Sequence, residues 1–311
     1  MEADNIVLQI ENVTRSRGPR VLVDHCSTTM RAGEIVGLVG HHGAGKTTLV
    51  KLILRHLHPD EGRILIKGVE VGELGRHPEI RVSAILEKAP YYRYMSGMDH
   101  LKMLSRMYPE ITHEQLLRMI DTIGLKNCIH DKMNTYNSRQ KYMLAVAEAL
   151  LPNPQLLILD EPTDSLDPVG IKELRDLVKR LADEGVCCIV SSHILSEVDM
   201  LCSRIIIMKE GRFIADLSSH ELLDPNRVRV HIRVGQPQKA LEILESLFED
   251  ITVRLDDDEL IVAGENLLVP QINRTLIFNE VDVYEITVNR EPLEEYFMEL
   301  MRETSEEGES R

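Results

Sequence analysis

The chain has 311 residues, 43% apolar and 28% charged, with a formal net charge of −15. That length holds one large α/β domain and a smaller second one, and the apolar content excludes a disordered chain. The negative charge argues against a nucleic-acid binder that works by neutralising phosphates.

Met1 to Asn5 carries acids and no basic stretch, so no signal peptide is expected there. Ile6 to Val13 reads as a strand, and Val21 to Met30 follows it across a turn at Gly18-Pro19. Glu34 to Val39 is a short apolar run ending at Gly40, as a buried strand feeding a loop does. From Lys46 to Leu57 the apolar residues recur at helical spacing, and Pro59 to Gly62 break the pattern before a strand at Arg63 to Lys67. Thr112 with Gln115 predicts a capping box, with Leu116, Leu117, Ile120 and Ile123 on one stripe and Gly124 closing the helix. A helix from Ser138 to Leu151 stops at Pro152 and Pro154. Leu156 to Leu159 and Val186 to Val190 are buried strands, joined by a helix over Val169 to Asp183 in a βαβ crossover.

After about His220 the pattern restarts. Strands at Val228–Val234, Ile251–Leu255, Glu259–Val262 and Val281–Val288 alternate with helices at Gln238–Leu247 and Leu267–Phe278, and an amphipathic helix follows at Pro292–Arg302. This order predicts a small α+β, split-βαβ-like domain over 221–311. Its composition differs from the rest, with 20 Asp and Glu against 9 Lys and Arg from Asn226 onward. The five cysteines, Cys26, Cys128, Cys187, Cys188 and Cys202, are odd in number and fit no zinc spacing, so reduced thiols are expected. No run approaches the roughly 18–20 apolar residues of a membrane span.

Two segments carry chemistry. Gly40-His41-His42-Gly43-Ala44-Gly45-Lys46-Thr47 matches the phosphate-loop pattern G-x-x-x-x-G-K-[ST], after a strand and before a helix as that pattern requires. The glycines let successive N–H groups turn toward phosphates, and the helix start adds a favourable dipole. Lys46 is placed to bridge β- and γ-phosphates, Thr47 to hold Mg²⁺, and Thr48 to reach a neighbouring phosphate. Leu156 to Leu159 then ends in Asp160 and Glu161. Asp160 suits the surroundings of Mg²⁺, and Glu161 suits the orientation and deprotonation of an attacking water.

The phosphate loop, the helical stretch, the Leu156–Pro162 run, Ser165-Leu166-Asp167 and Val190-Ser191-Ser192-His193 together resemble the ABC ATPase family over about Ile6 to Leu217. The resemblance implies a P-loop NTPase core over 1–220 with a helical insertion at about 88–153. It also implies a head-to-tail dimer holding two ATP molecules at its interface, a D-loop at Ser165–Asp167, and His193 touching the γ-phosphate. The partners it implies are a separate transmembrane permease and a second ATPase chain, identical or different, at the cytoplasmic face of the membrane. Arg17 occupies the position where the family often stacks an aromatic on adenine. Its planar guanidinium can stack on a base, or it is a solvated turn residue.

Two segments depart from the family. The signature, close to L-S-G-G-Q elsewhere, reads Tyr136-Asn137-Ser138-Arg139-Gln140 here, without the serine hydroxyl and both glycines. Arg139 brings a Cβ and a long side chain where backbone and phosphate should meet, leaving only side-chain donation in an altered geometry. This opens two expectations: pairing with a different ATPase subunit that supplies an intact signature, or a homodimer with two slow sites. Glu87 replaces the glutamine that senses Mg²⁺ and the permease, and a carboxylate keeps that ligand role. With Tyr91, Tyr92 and Tyr94 after it, this segment is similar to ABC-2-type exporters, including lantibiotic self-protection transporters. The expected function is therefore an ATP-binding subunit driving export of a peptide or drug. The alternatives are a regulatory ATP-binding module with little hydrolysis and a non-transport ABC protein.

Overall fold

The computed structural model describes residues 5–86, 92–218, 228–248, 251–256, 259–264 and 269–290. The chain divides into two compact units, Met1–Leu217 and Ser218–Arg311.

The first unit begins with an antiparallel sheet ordered β2-β1-β4-β5, from β1 (Ile6–Arg17), β2 (Arg20–Arg31), β4 (Glu61–Ile66) and β5 (Val69–Glu70). Its second sheet is ordered β10-β9-β3-β8-β7-β6. The strands are β3 (Ile35–Val39), β6 (Val82–Ile85), β7 (Leu156–Asp160), β8 (Cys187–Ser192), β9 (Arg204–Lys209) and β10 (Arg212–Ser218). β9, β3, β8, β7 and β6 pair in parallel. Strands covered on both faces read as near-continuous apolar runs, and β3 and β8 are buried throughout, the polar exceptions being Ser191 and Ser192 at the end of β8. Helix α1 (Lys46–Ile53) buries Leu49, Val50, Leu52 and Ile53 in the core that both sheets share.

The register of the parallel strands positions the site. Val39 of β3 lies level with Ser192 of β8, and Asp160 of β7 lies level with Ser191. The loop after β3, the acids ending β7 and His193 after β8 therefore emerge from one edge, where α/β sheets bind ligands.

Between β6 and β7 lie α2 (Gly97–Ser105), α3 (His113–Thr122) and α4 (Ser138–Leu150). The Ser96 hydroxyl caps α2, and full capping boxes start α3 at Thr112 and Gln115 and α4 at Asn137 and Gln140. His100 Nε2 meets Glu148 Oε1 at 2.7 Å, tying α2 to α4. Helix α5 (Pro168–Asp183), capped by Asp167, makes the crossover from β7 to β8, and the short α6 (Leu195–Asp199) follows β8. No helix among the described residues is long and apolar enough to cross a membrane.

The second unit runs β11 (Val228–Val234), α7 (Pro237–Leu247), β12 (Ile251–Asp256), β13 (Glu259–Gly264), α8 (Val269–Phe278) and β14 (Val283–Arg290). Its strands pair antiparallel in the order β12-β13-β11-β14, the split βαβ arrangement expected from the sequence. Val230, Ile232, Leu244, Leu260, Val262, Ile272 and Leu276 are buried in its core. The helix expected at Pro292–Arg302 lies outside the described residues.

Two expectations are corrected and one feature is added. Helix α1 ends at Ile53 rather than Leu57, because Arg55 takes φ 58° and leaves the helical path. Leu117 is exposed on α3 while Leu116 and Ile120 carry the burial. Strands β9 and β10, joined through Glu210 and Gly211 at φ 49° and 86°, were not anticipated. Positive φ at both turn residues is the tight-hairpin geometry that matches strand twist.

All five cysteines are free thiols; Cys26, Cys187, Cys188 and Cys202 are buried and Cys128 is half-buried. Burial pushes the Cys26 thiol up to about 11 and that of Cys188 to about 12. A thiolate-directed alkylating agent at pH 8 should therefore label Cys128 first in the native chain. The other four should react only after denaturant is added. Rapid native labelling of any of those four, read by mass spectrometry, would contradict this core.

Candidate active site

The phosphate loop follows β3 as a tight backbone cup. Gly45 takes φ 109°, and a Cβ there would stand 2.5 Å from the Leu22 carbonyl oxygen. A Cβ on Gly40 would stand 2.3 Å from the Met208 carbonyl oxygen. These approaches require glycine. The Ala44 carbonyl accepts from Gly211 N–H at 2.8 Å, so the hairpin after β9 braces the loop. Helix α1 starts at Gly45 with no side-chain cap, leaving its first N–H groups to a ligand.

Lys46 is buried, and its ammonium donates to the Gly40 carbonyl at 2.5 Å and lies 3.2 Å from Glu161 Oε1. The other carboxylate oxygen of Glu161 accepts from His193 N–H at 3.2 Å and lies 2.8 Å from His193 Nδ1. Glu161 thus sits between a lysine and a histidine. Its backbone is left-handed, φ 47° and ψ 54°, at a cost of roughly 1–3 kcal/mol. Hydrogen bonds from its N–H to Ser191 O at 3.2 Å and Ser191 Oγ at 3.0 Å hold it there.

The fully buried Ser191 also donates a short hydrogen bond to Asp160 Oδ1, and Thr47 Oγ1 donates to Asp160 Oδ2 at 3.5 Å. Burial and the adjacent Glu161 charge raise the Asp160 carboxyl, against the Ser191 hydrogen bond. Burial also pushes Glu161 upward, but the His193 hydrogen bond and the Lys46 ammonium outweigh it and hold Glu161 below its usual value. Neighbouring carboxyls set apart in this way divide naturally between roles. Thr47 and Asp160 present paired oxygens that suit Mg²⁺, and the glycine-lined cup with its buried ammonium suits nucleotide phosphates.

Of the remaining sequence candidates, His41, His42 and Gly43 are exposed on the loop, Ala44 is buried and Thr48 is half-buried beneath it. Arg17 is exposed at the end of β1. Arg20, which sequence reasoning passed over, is the arginine beside the loop, its Nη2 3.8 Å from where a Gly43 Cβ would stand. Glu87 and Tyr91 lie outside the described residues. Ser191 was also missed as a site residue; its signal is a hydroxyl at the end of a fully apolar strand.

The altered signature segment is committed within its own chain. The Asn137 side chain accepts from Gln140 N–H as the cap of α4, and Tyr136 donates to the Cys128 carbonyl at 2.7 Å. Arg139 grips Glu173 of α5 with two hydrogen bonds, Nε donating to Oε2 at 2.8 Å and Nη2 to Oε1. Its Cδ lies 3.3 Å from where a Gly170 Cβ would stand, so glycine on α5 makes room for the arginine stem.

A glycine-lined loop between a parallel strand and a helix, facing acids on a nearby strand, defines the P-loop nucleotide-binding class. The comparisons narrow it. Residues 23–164 match the family model described as ABC transporter. The ABC transporter ATP-binding protein YhcH of Bacillus subtilis (strain 168) is 36% identical over 97% of this chain and 98% of its own length. The bacitracin transport ATP-binding protein BcrA of Bacillus licheniformis is 29% identical over 95% of this chain and 97% of its own. A dimeric post-hydrolysis structure of the ATP-binding cassette MJ0796, bound to ADP and Pi, matches with TM-score 0.60 and 21% identity, covering 68% of this chain and 98% of that one. This chain belongs to the ATP-binding proteins of ABC transporters.

The raised Asp160 carboxyl carries a sign. Its folded pKa lies above its unfolded one, so ionised Asp160 destabilises the fold above the folded pKa, and that cost vanishes below the unfolded pKa. Asp160→Asn should raise the thermal midpoint of the metal-free, nucleotide-free chain at pH 7, by roughly 2–4 °C per kcal/mol recovered. The gap should close as pH falls toward 4. An Asn variant less stable at every pH would contradict the assignment.

Proposed function

We propose that the chain is the ATP-hydrolysing subunit of an exporter, working at the cytoplasmic face of the membrane beneath a separate permease, with a peptide or drug as cargo. The observation that carries hydrolysis is the carboxylate of Glu161, kept ionised between Lys46 and His193 at the mouth of the phosphate cup. Lys46 exchanges Glu161 and Gly40 for β- and γ-phosphate oxygens when nucleotide enters. Glu161, freed from that contact, takes the proton of an attacking water, and His193 holds both the carboxylate and the γ-phosphate. Thr47 and Asp160 would hold Mg²⁺, which neutralises charge on the phosphates. The full-length similarity to a bacitracin transport protein supports peptide export.

The signature segment bears on partnership. The Asn137 side-chain oxygen is occupied as a helix cap, and Nε and Nη2 of Arg139 are occupied by Glu173, so both side chains are held by bonds within their own chain. This favours pairing with another ATPase subunit whose signature is intact. It favours equally a second reading, a regulatory module that binds ATP and hydrolyses little.

One experiment separates these readings. The purified chain is assayed for ATP turnover alone and beside the permease and ATPase subunits recovered with it from membranes, each time against Glu161→Gln. The proposal expects little turnover alone at any concentration, and turnover in the assembly that falls about 10²–10⁴-fold in Glu161→Gln. Brisk, concentration-dependent turnover of the isolated chain would point to a homodimer. Transport unaffected by Glu161→Gln would point to the regulatory module.

A further inference from the structure

One side chain at the mouth of the site has no part in the hydrolysis scheme. Asp164 is exposed in the 3-10 turn Pro162–Ser165, just after the acids that end β7. One ligand-capable atom each from Asp164, Glu161 and His193 lie within 4.8 Å of one another. His42 stands outside that group but against His193. The His42 ring packs on the His193 ring with centroids 4.9 Å apart and planes inclined by 36°. The four side chains come from the loop after β3, the turn after β7 and the residue after β8, which the parallel register brings to one edge.

The local charge favours a cation. Asp160, Glu161 and Asp164 cluster here, and the Lys46 ammonium engages Oε1 of Glu161 and leaves Oε2 on the His193 side. The donor chemistry selects which cation. Two imidazoles and two carboxylates suit a four-coordinate ion of the zinc type, with bonds of about 2.0–2.2 Å. Magnesium prefers six oxygens in an octahedron and binds imidazole poorly. His42, Asp164 and His193 are exposed, so their side chains have room to turn toward a shared ion.

We propose that His42, Glu161, Asp164 and His193 form a binding site for a divalent transition-metal ion of the zinc type, whose occupation silences the site by coordinating Glu161 and His193. Such an ion ties up the carboxylate that must accept the proton of water and turns His193 away from phosphate. His42 is the distinguishing part, because it adds a second imidazole next to His193. The metal-binding half rests on this geometry alone; the silencing rests on the proposed hydrolysis, and the test keeps the two apart.

Cobalt(II) chloride is titrated into the full nucleotide-free chain with magnesium in large excess, and the visible spectrum is recorded. The expected result is the intense absorption of four-coordinate cobalt, abolished by zinc chloride and unaffected by magnesium. Asp164→Asn and His42→Asn should each weaken cobalt binding about tenfold or more, with thermal melts confirming that both variants are folded. A six-coordinate spectrum, a thiolate charge-transfer band from a cysteine ligand, or equal affinity in wild type and both variants would overturn the site. ATP turnover of the assembly is then measured with and without zinc. Inhibition in wild type that is relieved in Asp164→Asn supports silencing, and cobalt binding without inhibition overturns that half. An assembly without turnover would overturn the hydrolysis reading while leaving the spectroscopic result standing.

Discussion

The parallel pairing of β3, β8 and β7 is the constraint from which the site follows. Because Val39 is level with Ser192 and Asp160 with Ser191, three loops leave the sheet at one height. Every contact at the mouth depends on that alignment, from Lys46 with Glu161 to His193 with Glu161. A slip of one residue in β8 would turn Ser191 to the opposite face and remove the shared hydroxyl that holds Asp160 and the Glu161 N–H. The buried runs of β3, β7 and β8 are thus positioning elements as much as core.

The site also stores unfavourable terms that the sheet must offset. Glu161 keeps a left-handed backbone, burial disfavours the ionised form of the Asp160 carboxyl, and Lys46 is buried. Ser191 answers the first two through one hydroxyl, and Glu161 answers the third. A framework that spends stability in this way is expected where charges must be ready for a ligand rather than satisfied without one.

Much of this was legible in the sequence for identifiable reasons. Glycines at fixed spacing before Lys46, and an unbroken apolar run before Asp160 and Glu161, report local backbone demands that few other residues meet. The split βαβ unit was legible because its strands and helices switch period at short, regular intervals. Other features depend on pairing between distant segments and leave no local trace. Arg139 reads as a damaged signature residue, yet its guanidinium is engaged by Glu173 and its stem fits the space over Gly170. His42 reads as a loop residue until β8 brings His193 against its ring. Strands β9 and β10 carry no motif, and their role in bracing the loop through Gly211 emerges only from the hairpin.

Nucleotide binding depends on the glycine-lined cup and its buried lysine being a seat for phosphates. The most direct measurement is calorimetric titration of MgATP into the wild-type chain and into Lys46→Ala, with both shown to be folded. Saturable binding to wild type, weakened at least tenfold in the variant, is the result expected. A folded wild-type chain that binds no nucleotide in the presence of magnesium, or a variant that binds equally well, would contradict it.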